Sequence, residues 1–220
     1  LKVRKNINQA IRKIKRFQIS SGGFAYWEGG LSSNDWGTSY AGHFMIKAKE
    51  NGYFISDHVF NNWVAYQKNT ANSWSVSEHY HHLGEIKSQA YRLFTLSLSG
   101  NTEIGAMNRL KEIRYLPGTV KALLAAAYHL NGQTNIAREL ARSIDLDKLE
   151  DESGFGYNYG SSERDKALII YCLAEMDMHK ELEVLVTELS AKLNSNKWMS
   201  TQTTAVSLVA ISNFVGDDSS

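Results

Sequence analysis

The residues best able to do chemistry fall into four groups. Glu78-His79-Tyr80-His81-His82 is the densest run of titratable side chains. Three imidazoles in four positions could act as nucleophile or base near neutral pH, or hold a metal. Two of the three point apart in either a helix or a strand, and no second ligand pair stands at a zinc spacing, so no metal and no cofactor is expected. His43 and His129 are flanked by apolar helix residues and read as core histidines. The single thiol, Cys172, sits in an apolar stretch, Ala167-Leu168-Ile169-Ile170-Tyr171-Cys172-Leu173. It reads as core packing and excludes a disulfide framework. Glu28, Asp35, Glu85, Glu163 and Asp165 lie near helix starts, where a facing pair of carboxylates would suit glycoside hydrolysis. Asp35 and Glu163 equally suit capping or the helix dipole. Tyr26, Trp27, Trp36, Trp74 and Tyr80 could shield a reactive group from water or stack on a sugar. Their expected role is structural, closing one end of the helical array.

The elements that position these residues are helices. Among 220 residues there is one proline against 16 glycines, so glycine does the punctuation. The chain is 43% hydrophobic, enough for a continuous core. Lys+Arg 24 against Asp+Glu 23 leaves a net charge of +1 and no overall footprint for nucleic acid. The one basic stretch, Lys2, Arg4, Lys5, Arg12, Lys13, Lys15 and Arg16, alternates around Val3, Ile7, Ile11 and Ile14 and reads as a solvated helix face. No apolar run approaches a bilayer span, so no direct membrane insertion is expected.

Periodicity predicts ten helices: about 4–17, 35–50, one starting after Ser56 and running through Tyr66, then about 85–98, 102–113, 117–130, 134–144, 162–176, 180–193 and 201–215. The even-numbered ones are nearly apolar all round in their middles and must be enclosed, while the odd-numbered ones keep a charged face. Small residues near the starts of the apolar helices recur at about 32–51-residue separations, the mark of a helical-hairpin repeat. The fold expected is an all-α, α/α toroid with inner and outer helices. Five hairpins stand where such a ring usually has six. Residues 1–220 are read as one toroid domain, a fragment of a larger multidomain protein.

Two stretches resemble one family. Trp198-Met199-Ser200-Thr201-Gln202-Thr203-Thr204-Ala205-Val206-Ser207-Leu208 is similar to its Gly-Gly-Phe-x-Ser-Thr-Gln-Asp-Thr segment, with Thr203 where Asp is common. Phe17-Gln18-Ile19-Ser20-Ser21-Gly22-Gly23-Phe24-Ala25-Tyr26-Trp27, followed by Asn34-Asp35-Trp36-Gly37-Thr38-Ser39-Tyr40, resembles its Phe-Gln-x-x-x-Gly-Gly-Phe-x-x-Trp and Trp-x-Thr-x-Tyr patterns. The family is the bacterial branch of the alpha-2-macroglobulin and complement superfamily, and the segment is its thioester-containing domain.

That resemblance implies a non-enzymatic, single-use protease trap. Target proteases and other domains of the same chain would be its partners, and the periplasm or cell surface its location. In the family a Cys-x-Glu-Gln thioester opens the domain; here that segment, with the sixth hairpin, is expected upstream of residue 1, and either it carries the motif or the longer protein lacks it. Cys172-Leu173-Ala174-Glu175 does not match that motif. By the same resemblance His79, His81 or His82 would be the candidate that modulates an upstream thioester. The competing readings are a carbohydrate-active enzyme on the same toroid, acting as glycoside hydrolase or polysaccharide lyase, and a non-catalytic interaction scaffold.

Overall fold

The structure, a computed structural model, describes residues 2–75, 83–147, 149 and 160–216. The described residues form ten α-helices; besides these there are two isolated bridges, Gln18 with Phe24 and Ala25 with Ser33, and no strand. The all-α class and the succession of ten helices expected from periodicity are both present. The chain divides into two compact units, Leu1–Glu112 and Ile113–Ser220.

In the first unit α1 (Lys2–Ile14) runs into a 3-10 turn (Lys15–Phe17), followed by α2 (Asp35–Glu50), α3 (Asp57–Ser73), α4 (Leu83–Leu98) and α5 (Ile104–Lys111). Alanine, methionine and β-branched residues on α2 meet Val59 and Trp63 of α3, and Ile7, Ile11 and Ile14 of α1 pack on the same cluster. Helix α2 packs on both α3 and α4, and α5 on both α3 and α4. One close approach fixes the α2–α3 crossing. A Cβ on Gly42 would lie 2.0 Å from Trp63 Cζ2, so only glycine admits the fully buried indole there.

The second unit holds α6 (Gly118–Leu130), α7 (Thr134–Arg142), α8 (Ser162–Ala174), α9 (His179–Leu193) and α10 (Thr201–Val215). Pro117 stands at the N-cap of α6, where its missing N–H costs nothing. All residues from Ala122 to Tyr128 and from Ala167 to Ala174 are buried, as their apolar runs require. Helix α9 buries Leu182, Leu185, Val186 and Leu189, an i, i+3, i+4, i+7 stripe, against α8 and α10.

Helix α10 departs from expectation. It reads as apolar all round, yet within its unit only Thr203, Ser207 and Ala210 are buried, while Leu208 is 57% and Val209 42% exposed. Helix α4 departs in the other sense. Its buried side includes Lys87, Ser88, Gln89, Arg92, Thr95 and Ser97 among the apolar residues.

Candidate functional site

The N-terminal motif is a clasp between the turn at residues 18–24 and the start of α2. Gln18 Nε2 donates to Gly22 O at 3.0 Å and to Val59 O at 2.9 Å, tying the turn to α3. Gly22 holds φ +95°, and a Cβ there would come within 2.2 Å of Asn62 O; one on Gly23 would meet Ser33 Cβ at 2.7 Å. The two glycines are thus required by a backbone conformation and by close packing. Phe24 is buried, and its N–H donates to Thr38 Oγ1 at 2.9 Å. Trp63 Nε1 donates to Thr38 O at 2.9 Å, so one threonine joins the turn, α2 and α3. Ser33 Oγ and Tyr66 OH lie 2.6 Å apart and close the far side.

Beneath the clasp lies a polar network. Arg92 is 1% exposed, and its guanidinium pairs with Asp35 Oδ1 at 2.9 Å, donates from Nε to Gln67 Oε1 at 3.2 Å, and contacts Gln89 Oε1. Gln67 Nε2 donates to Ser39 Oγ at 3.0 Å, and Gln89 Nε2 to Ala71 O at 3.1 Å. Burial pulls the guanidinium pKa down, and the Asp35 charge opposes that pull. Asp35 is therefore an ion-pair partner, and the cap of α2 is Asn34, whose Oδ1 accepts from Gly37 N at 2.6 Å. Sequence reasoning passed over Arg92. Its signal was a charged residue inside the apolar run Ala90-Tyr91-Arg92-Leu93-Phe94.

His43, expected in the core, is half-buried, with Nδ1 3.0 Å from Tyr91 OH and its ring edge-on to Phe94. Burial, aided by Lys47, lowers its pKa to about 3, so the imidazole is neutral and unsuited to base chemistry at neutral pH. His129 is half-buried at the end of α6.

The C-terminal motif builds a simpler structure. Ser200 caps α10, its Oγ accepting from Thr203 N at 3.1 Å and lying 2.9 Å from Thr203 Oγ1. Thr203 Oγ1 is also 3.0 Å from Ser161 Oγ, the residue that caps α8. Two helix starts are thus stitched together by hydroxyls, with Trp198 87% exposed beside them.

The remaining candidates separate. Tyr26 and Trp27 stack edge to face at 4.9 Å on the exposed loop after the clasp. Trp36 is buried 4.7 Å from Tyr91. Trp74 is half-buried and forms the C-cap of α3. His79, Tyr80, His81 and His82 lie outside the described residues. Cys172 is fully buried, and burial followed by the Glu175 charge pushes its thiol well up, the opposite of a reactive thiolate. Four of the five carboxylates have cationic partners: Glu28 with Arg16, Asp35 with Arg92, Glu163 with Lys192, and Asp165 with the fully buried Arg164. Hydrogen bonding to Lys192 holds the Glu163 carboxyl below the usual range. Glu85 is exposed in the first turn of α4. Among the described residues no group of three or more His, Cys, Asp and Glu could hold a metal.

No family model matches the chain. Alpha-2-macroglobulin of Escherichia coli strain K12 is 24% identical over 209 residues, covering 91% of this chain. The chain is homologous to bacterial alpha-2-macroglobulin. It spans 13% of that curated relative's length. The native conformation of E. coli alpha-2-macroglobulin superposes with a TM-score of 0.84 at 24% identity, over 99% of this chain and 14% of that one. The same E. coli protein activated by porcine elastase gives 0.81 at 23% identity, over 98% and 20%. These likenesses establish the fold. Among the described residues no helix is long and apolar enough to cross a membrane.

Proposed function

We propose that this chain is the helical-toroid segment of a protease-trapping, alpha-2-macroglobulin-like protein. The observation that carries the reading is the homology over 91% of the chain, joined to a fold likeness over 99%. The clasp adds support, because it gives the Gly-Gly-Phe and Thr-x-Tyr pattern one physical purpose. It is a rigid scaffold holding the turn on α2 and α3, with no reacting group in it.

The segment acts by housing and shielding. Its thiol is buried and protonated, its His43 imidazole is neutral, and four of its five candidate carboxylates are paired. The reactive Cys-Gln thioester would lie upstream of residue 1, in a segment that would also supply the sixth hairpin of a single toroid domain. Proteases are the targets, as with the elastase-activated E. coli relative, and the protein works in the periplasm or at the cell surface without enzymatic turnover. His79, His81 or His82 would modulate that thioester, and Tyr26, Trp27, Trp36, Trp74 and Tyr80 would shield it or close the mouth of the barrel.

The test uses the natural protein that carries this chain, treated with porcine elastase. A single early cleavage accompanied by a faster-sedimenting, more compact form supports the trap. Progressive degradation without compaction contradicts it.

A further inference from the structure

Helix α1 presents a charged surface that shielding a thioester does not use. Its apolar side is committed to the unit core, with Ile11 buried and Ile7 and Ile14 packed on the same cluster. The opposite side is exposed and cationic. Between Lys2 and Arg16 there are seven basic residues, all exposed, and the first carboxylate in the chain is Glu28. Helical geometry puts Lys5 and Arg12 on one line, with Lys2 and Lys13 to one side of it and Arg4 to the other, and Lys15 and Arg16 follow in the 3-10 turn. Of these seven, only Arg16 has an ion-pair partner among the described residues, Glu28 at 3.4 Å, and both side chains are more than half exposed.

We propose that the outer face of α1 docks on the surface of an anionic phospholipid bilayer. The helix is about 20 Å long at about 1.5 Å per residue, and its cations spread around roughly half of its circumference, with only an open recess among Gln9, Arg12, Lys13 and Arg16. A deformable sheet of lipid phosphates meets such a face, and a cluster of this size on an amphipathic helix suffices for anionic-lipid attraction. A nucleic-acid strand is less well served, because no aromatic side chain lies between Lys2 and Arg16 to stack a base, and Phe17 packs on the core. The apolar stripe of α1 is already buried in protein, so the helix does not sink into the acyl layer as a free amphipathic helix would. Docking is therefore electrostatic, at headgroup level, and strongly dependent on salt.

Cosedimentation of the intact protein with vesicles tests this. Binding is expected to equal parts phosphatidylglycerol and phosphatidylcholine at low salt, and not to phosphatidylcholine alone. Replacing Arg12, Lys13 and Arg16 together by Gln is expected to weaken it by roughly fivefold per cation removed, with unchanged helical circular dichroism. Absence of binding to the anionic vesicles, binding untouched by the triple substitution, or tighter binding to an oligonucleotide than to the vesicles would each overturn the proposal. None of these outcomes depends on whether the protein traps proteases.

Discussion

The two motifs, so alike as turn-then-helix patterns, are built differently. In the first unit the turn is buried under its own helix pair. Phe24 is 2% exposed, Thr38 is bonded on two sides, and α2 is covered by both α3 and α4. In the second the turn aromatic Trp198 is 87% exposed, and α10 meets α8 and α9 on one side only. The same kind of sequence becomes a clasp where a following helix supplies an indole and a glutamine to hold it. Where no such helix packs on it among the described residues, it becomes a capped helix with an exposed apolar flank. The difference teaches that this pattern specifies a docking site for a helix, and that the docked helix completes it.

The largest expected effect falls on the clasp. Trp63→Ala should cost about 3–5 kcal/mol, read as a lowered urea midpoint, since it removes a fully buried indole and leaves Thr38 O without its donor. Gly42→Ala should cost about 1–3 kcal/mol, and more if the indole cannot move aside, because the new Cβ would overlap its ring. An effect of a few tenths in either variant would mean that the α2–α3 crossing is looser than described.

His43 sharpens the comparison through pH. Unfolded, it takes up a proton near pH 6.5; folded, only near pH 3. Protons therefore favour the unfolded chain across that window, and stability should fall by about 1.4 kcal/mol per pH unit well below pH 6.5 from this residue alone. His43→Gln should flatten the slope between pH 6 and 4, measured by urea unfolding at a series of pH values.

The caps are the fairest direct match between the two regions. Asn34→Ala and Ser200→Ala should each cost about 1 kcal/mol, because each removes the acceptor for one N–H in the first helical turn. Smallest are Trp198→Ala and Leu208→Ser, expected within about 0.5 kcal/mol in the isolated chain because both side chains are already exposed. Leu208→Ser should nonetheless destabilise the natural longer protein clearly more than this chain if a further helix covers α10.

Much of this was legible in the residues. Pro117, Asn131-Gly132 and Ser99-Gly100 placed helix boundaries close to those observed, because they act locally through fixed φ, a missing donor or a left-handed turn. Asp35 and Asn34 are both able to cap α2 by sequence; Asn34 accepts from Gly37 N, and Asp35 turns to the buried cation on α4. Arg92 itself was invisible as a partner because its contacts, Asp35 and Gln67, come from helices distant in sequence. Helix α10 misled for a related reason. Apolar composition says that a face can be buried, but what covers it is a property of the assembled chain. The burial of Cys172 follows from its apolar neighbours.

The most direct measurement is a substrate-size assay on the natural protein that carries this chain. Porcine elastase is incubated with excess protein and then assayed on a large protein substrate and on a small chromogenic peptide. A trap predicts loss of activity on the large substrate with the small one still cleaved, because the protease is enclosed and its active site left open. Equal activity on both, or equal loss on both, would contradict it.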